Sequence, residues 1–327
     1  MLGEIIAILA VLTFVASNVI FRRTEHEASP TFINFFRTAV GTLTFFLIAF
    51  FLNQLDLIFV IPWEIWVLLI FSFVFGQVIG DTAYFTAQKK LGTTIALAIS
   101  MTFPLFTFIL SLIFLKKPFK LNLIISLLLI GVGITIIGKS KINSENPLEN
   151  GNLIAKPTIK IKFQEVFEKN IVKAIIYCFT ASIGWAVGAI MIEFATGRID
   201  QIIQKEELSS IIGNVIRFPF ALMILSSMVW REHYLKKRDY NLMSSKKSLR
   251  TWTLLIGASI IGTSLGAYLY TESVHVAGAD VVALIASASP LFALPLTYFV
   301  NKETISKFGF VGVVLTILGV IVILLEL

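Results

Sequence analysis

Ten apolar runs follow one another along the chain, at 4–21, 31–52, 65–87, 94–115, 121–138, 172–194, 211–230, 252–272, 279–300 and 306–325. Each is close to the roughly 20 residues that a helix needs to cross a hydrocarbon core of about 30 Å. Backbone polar groups find no water in lipid, so spanning segments are helices or closed barrels. The strand alternation of a barrel is absent. The pattern predicts an all-α polytopic membrane protein with ten transmembrane helices.

Composition agrees. Of 327 residues, 57% are hydrophobic and 14% charged, against about 25% charged in an average soluble protein. A soluble fold of this size would expose large apolar patches. Disordered, collagen-like, coiled-coil and disulfide-scaffold classes are excluded by the same figures. The lone cysteine, Cys178, lies in an apolar run and has no partner for an intrachain disulfide. The N-terminal run ends at Arg22 and Arg23 and lacks a charged leader and a small-residue cleavage site, so it reads as a first span and not a signal peptide. Trp63, Trp66, Trp230 and Trp252 sit at predicted span ends, as an interfacial belt requires, whereas Trp185 falls mid-span.

The net charge of +7 and isoelectric point near 9.4 do not indicate nucleic acid as a partner, because Lys and Arg fall between the apolar runs. Loops on the side of Arg22 and Arg23 carry twenty Lys and Arg, and those opposite carry five: Lys116, Lys117, Lys120, Arg198 and Lys205. The positive-inside rule then places the polar linker in the cytoplasm and both termini outside. The expected location is the cell (plasma) membrane, as a multi-pass protein. The basic loop 231–250 would face anionic membrane lipids.

That Lys-rich linker, 141–171, divides the chain into five spans at 1–140 and five at 172–327. A shift of 186 residues brings Gly76 onto Gly262, Gly80 onto Gly266, Tyr84 onto Tyr270, Gly92 onto Gly278, Pro104 onto Pro290 and Gly133 onto Gly319. A shift of 180 brings Asn34 and Arg37 onto Asn214 and Arg217, and Phe14 stands opposite Trp185. Coincident Gly, Pro, Tyr, Asn and Arg are harder to obtain by chance than Leu or Ile. An odd number of spans per copy means that the copies enter the membrane from opposite sides. Inverted repeats of this kind let many transporters expose one site to either side in turn.

With these residues the chain resembles the ten-helix members of the drug/metabolite transporter superfamily, with two EamA-type domains. The resemblance rests on the Gly-xxx-Gly, Tyr, Gly pattern of the third and eighth spans and on the proline early in the fourth and ninth. It covers nearly the whole chain outside the linker. The family's glutamate thirteen residues after that proline is matched by Glu303 and replaced by Lys117 in the first half. Its Trp-Gly near the start of each half is partly matched by Trp185, preceded by Gly184, and not by Phe14. The resemblance implies an exporter or exchanger of a small metabolite, and cytoplasmic termini, opposite to the charge count.

Ionisable residues within spans cost roughly 2.5–3.5 kcal/mol each to insert, so they are functional candidates with partners to be named. Arg37 and Asp81 lie near the same membrane face, either as a structural ion pair or as a substrate or proton site. Ala267 stands where the repeat would put a second Asp81, so Arg217 pairs with Glu193 or is left for an anionic group. Gln77, Asp81 and Tyr84 share a helix face. With Tyr270, Trp185, Asn18, Asn34 and Asn214 they form a candidate substrate lining, although each could equally make an interhelical hydrogen bond. The Gly-xxx-Gly stripes fit static packing or a moving interface. Pro104, Pro219, Pro290 and Pro295 fit bent helices or carbonyls freed toward a cavity.

His26, His233 and His275 are expected in loops, and no metal-ligand spacing, P-loop or nucleophile elbow occurs. No cofactor is therefore expected. The reading is a secondary transporter, not an enzyme, that moves a small-molecule substrate by alternating access with protons as a candidate coupling ion. A membrane enzyme or flippase acting on lipid-linked substrates, and a non-transporting scaffold, are the alternatives.

Overall fold

In the computed structural model the described residues are 2–114, 125, 128–133, 136–137, 157–204, 206–235, 247–287, 289–303 and 305–324. They are helices and short turns, with no strand among them. In chain order the helices are α1 (Leu2–Arg22), α2 (Pro30–Phe51), α3 (Trp63–Leu91), α4 (Thr93–Ser100), α5 (Phe103–Phe114), α6 (Pro157–Ile203), α7 (Glu206–Leu235), α8 (Leu249–Ala277), α9 (Ala279–Ser287), α10 (Ser289–Asn301) and α11 (Lys307–Leu324). A short 3-10 helix, Leu55–Val60, joins α2 to α3.

Among the described residues, six helices are long and apolar enough to cross a membrane: α1, α2, α3, Asn170–Ile203 of α6, Leu208–Tyr234 of α7, and α8. A seventh arises if Val281–Ser287 and Phe292–Asn301, bent by 44°, count as one span. The run 94–115 is thus two helices, broken after Ser100, and the run 279–300 bends by 44° between Val281–Ser287 and Phe292–Asn301. Half of the run 121–138, residues 141–156 of the linker, and Lys116, Lys117 and Lys120 lie outside the described residues. Helix α6 is already helical at Pro157, well before the apolar run begins at 172, because hydropathy marks where a helix enters lipid and not where it begins.

Local chemistry sets the other ends. Ser29 caps α2 by accepting from Phe32 N (3.1 Å), and Ser248 caps α8 by accepting from Thr251 N (3.2 Å). Helices α3 and α8 stop at Gly92 (φ 82°) and Gly278 (φ 86°), a left-handed conformation that glycine adopts without steric cost. Each of these two helices contains a π-helical stretch, Val74–Asp81 in α3 and Ile260–Leu265 in α8. Such widened turns shift the side-chain register and recur at functional sites.

The glycine stripes mark close approaches. A Cβ at Gly184 would lie 2.5 Å from the Phe75 carbonyl and one at Gly188 2.8 Å from the Ser72 carbonyl, so α6 rests directly on the π stretch of α3. A Cβ at Gly262 would lie 2.1 Å from Ser17 Oγ, and one at Gly266 2.9 Å from Thr13 Oγ1, so α8 rests on α1 in the same manner. Helices α2 and α7 meet through Phe45 and Phe218, whose ring centroids are 5.0 Å apart. Large apolar side chains such as Leu43, Phe51, Phe299 and Phe308 remain exposed on the outside, as lipid-facing positions require. Trp63 and Trp230 are also exposed, while Trp66 packs on Phe220 and Trp252 on Phe32 and Phe36, so half of the expected tryptophan belt turns inward.

Candidate functional site

Between these helices lies a cavity with about 140 Å³ open to the centre of a water molecule. One water needs roughly 10–15 Å³ on that measure, so the space suits a small organic molecule. Helices α1, α2, α3, α6, α7 and α8 all contribute to its wall, together with Ala286 of α9 and Ser289 of α10. Most of the lining is apolar or aromatic, including Phe14, Phe73 and Phe103, and its charged members are Arg37, Asp81 and Arg217. Six of the nine sequence-derived candidates line it: Arg37, Gln77, Asp81, Trp185, Arg217 and Tyr270.

In the first half the arginine is neutralised. Arg37 Nη2 donates to Asp81 Oδ2 (2.9 Å) and Gln77 Oε1 (3.2 Å), and the guanidinium lies 5.3 Å from the Phe85 ring centroid. The other carboxylate oxygen, Asp81 Oδ1, accepts from Trp185 Nε1 (2.8 Å) of α6. Gln77 is held from behind, where its Nε2 donates to Asn34 Oδ1 (3.1 Å) and Thr38 Oγ1 (2.9 Å). Asn34 Nδ2 returns a bond to the Gln77 carbonyl (2.7 Å) in the π stretch. Trp185 is boxed by Phe14, Tyr84 and Phe103 at centroid distances of 5.8, 5.5 and 6.3 Å.

In the second half it is not neutralised. Arg217 Nε and Nη2 donate to Asn214 Oδ1 (2.9 and 2.6 Å), Nη2 also donates to Thr271 Oγ1 (2.7 Å), and the guanidinium lies 4.6 Å from the Phe73 centroid. No carboxylate stands within 4 Å of Arg217 among the described residues, and Arg217 Nη1, Asn214 Nδ2 and Thr263 Oγ1 have no hydrogen-bond partner there. Arg217 is 2% exposed. A buried donor left unmatched costs about 1–3 kcal/mol, more when charged.

The pairing of Arg217 with Glu193 is therefore corrected. Glu193 Oε2 accepts from Ala279 N (3.1 Å) and caps α9, where a helix N-terminus favours a carboxylate. Three further candidates stand behind the lining. Tyr84 is fully buried against Trp185, while Asn34 and Asn214 orient Gln77 and Arg217. Asn18 donates to the Phe14 carbonyl of its own helix (2.9 Å). His233 and His275 lie in the last turns of α7 and α8, not in loops, and His275 pairs with Asp200. No group of three His, Cys, Asp or Glu suited to a metal occurs among the described residues.

At one end of the cavity's helices, Arg22 ties α1 to α3 and to the turn after α10. Its Nε donates to Glu303 Oε1 (2.9 Å), its Nη1 donates to the Lys89 carbonyl (3.0 Å), and it pairs with Glu25. Glu303 Oε2 accepts from Thr93 N (3.0 Å) and so caps α4 after Gly92, as Glu193 caps α9 after Gly278. Glu25 also accepts from Gln88 Nε2 (2.9 Å), and burial holds its carboxyl above the usual range against the pull of Arg22.

Sequence reasoning missed Phe73 and Thr271 as partners of Arg217. The repeat offers one signal: Thr271 stands 186 residues after Phe85, so a hydroxyl replaces the aromatic ring beside the arginine.

Comparison with known proteins agrees with this architecture. An uncharacterized transporter of Archaeoglobus fulgidus is 25% identical over 327 residues, covering 99% of each chain. A protein of known crystal structure superposes with a TM-score of 0.61 over 99% of this chain and 98% of its own, at 13% identity, which shows a shared fold. The sequence model of the EamA-like transporter family matches residues 1–139 and 172–325. This chain is an integral membrane protein and belongs to the EamA-like transporter family.

Proposed function

We propose that the protein is a secondary transporter that moves a small metabolite across the plasma membrane, as an exporter or exchanger, by alternating access between two inverted five-helix halves. The observation that carries this reading is the cavity: residues from 1–140 and from 172–327 line it together, with charged, polar and aromatic groups among apolar ones. On this reading Arg37, Gln77, Asp81, Trp185, Arg217 and Tyr270 contact the substrate, and Tyr84, Asn34 and Asn214 hold them in place. The backbone contacts of α6 on α3 and of α8 on α1 each join one half to the other, so they are the surfaces across which the halves rock. The Arg22–Glu303–Thr93 connection closes one end.

Asp81 is the one carboxylate among the described lining residues, so a proton-coupled cycle runs through it. Purified protein in liposomes, offered a broad panel of metabolites, is expected to show saturable flux of at least one compound. Asp81→Asn is expected to abolish the part of that flux driven by a pH gradient. Absence of substrate-dependent flux from folded protein overturns the transport reading, and an unchanged pH dependence in Asp81→Asn removes the proton from it.

A further inference from the structure

The three charges on the cavity wall do not cancel. Arg37 and Asp81 neutralise each other at 2.9 Å, and both Asp81 oxygens are engaged, by Arg37 and by Trp185. A bound cation would therefore find no free carboxylate among the described lining residues. Among the described residues Arg217 has neutral partners only, the Asn214 amide and the Thr271 hydroxyl, and its Nη1 has no partner. The wall thus carries one uncompensated positive charge, in an otherwise largely apolar cavity. One monoanion brings that charge to zero, whereas a dianion leaves an excess negative charge and an amine adds a second positive one. A planar guanidinium matches a carboxylate in particular, through parallel N–H donors. The aromatic rings of Phe14, Phe73 and Phe103 leave the rest of the ligand an apolar surface.

We infer that Arg217 is the anchor for the carboxylate of a small organic monoanion whose body is apolar, and that the cavity selects such acids over amines and neutral analogues. This rests on the transport reading for its physiological meaning, but binding can be measured without it. The sequence contains its own control, because Ala267 stands where the first half has Asp81 and lines the cavity beside Arg217. Ala267→Asp would supply internally the partner that the ligand is inferred to supply.

The test is calorimetry and thermal unfolding of the full chain in lipid nanodiscs, with phenylpropionate, phenylpropylamine and phenylpropanol as a matched set. Butyrate and hexanoate extend the acids, and inorganic phosphate serves as the small oxyanion. At least one carboxylate should bind saturably and raise the unfolding temperature. The amine and alcohol of the same skeleton, and phosphate, should bind roughly 30-fold more weakly or worse, the low end for losing one partner of a buried charge pair. Arg217→Gln should weaken carboxylate binding by a similar factor. Ala267→Asp should abolish it while unfolding, ligand-free, at or above the wild-type temperature, which keeps the test valid should Arg217→Gln fail to fold. Equal binding of amine or alcohol, carboxylate binding that survives either folded variant, or no binding of any carboxylate overturns the inference. Flux of amines or neutral compounds through an Arg217-independent site would leave transport standing and remove the anion anchor. Carboxylate binding at Arg217 without flux would do the reverse.

Discussion

Two arginines at matching places in the two halves meet opposite fates. Each follows an asparagine by three residues, each is buried, and each lies near an aromatic ring. Arg37 is closed into a pair with Asp81, which is itself held by Trp185 from the other half. Among the described residues Arg217 is held only by neutral groups, and Ala267 occupies the position that the repeat gives to a second aspartate. Arg217 thus lacks, among the described residues, the counter-ion that Arg37 has. One cluster balances its charge without a ligand, and the other does so only with one.

The largest effect expected to sharpen this contrast is on stability. Removing one partner of a buried ion pair leaves an uncompensated charge and costs about 3–5 kcal/mol. Arg37→Met should therefore lower the unfolding free energy by about that amount, since Asp81 loses its cation. Arg217→Met breaks no ion pair, and Asn214 Oδ1 keeps the Thr271 hydroxyl at 3.3 Å. Its ligand-free stability should be unchanged or raised. Denaturant unfolding of both variants in one detergent checks this, and equal losses would erase the distinction between the clusters.

A smaller effect concerns the contact that brings Trp185 to Asp81. Gly184→Ala would set a methyl group 2.5 Å from the Phe75 carbonyl, which is backbone and cannot rotate aside. Overpacking of this kind costs about 1–3 kcal/mol, and it would also separate Trp185 from Asp81. The expected readouts are a lowered unfolding temperature and altered Trp185 fluorescence. Unchanged values of both would remove the close approach from the account.

The smallest effect lies outside the spans. Glu25, in the turn between α1 and α2, has its carboxyl raised by burial. An acid whose folded-state value is raised binds its proton more tightly when folded. Its contribution to stability is therefore fully present below the ordinary carboxylate range and lost as pH rises through the raised value. Glu25→Gln should flatten that decline, measured as the pH slope of the unfolding temperature; an identical slope assigns it to another group.

Much of this was legible in the sequence because it rests on local or periodic signals. Apolar run length locates α1, α2, α3, α7 and α8, and Gly80, Gly184 and Gly188 announce close packing before a partner is known. The Arg37–Asp81 pair follows from the rarity of charge within spans. Trp185 stood out by falling outside the aromatic belt, and it proves to bond Asp81. What was not legible depends on distant partners or on backbone geometry. Nothing local tells Glu193 to cap Ala279 rather than meet Arg217, since both lie within reach of α6. The π stretches leave no residue signature, and the break after Ser100 falls before Pro104, so proline marks the neighbourhood and not the position.

The most direct test of the central claim, that the open cation in the cavity is a transport site, is uptake of a radiolabelled monocarboxylate into proteoliposomes preloaded with the same unlabelled acid. The acid is the one that binds most tightly in nanodiscs. Wild-type protein should accumulate the label transiently by exchange, and Arg217→Met, folded and reconstituted to the same density, should not. Equal exchange by both proteins, or none by the wild type, would contradict the account.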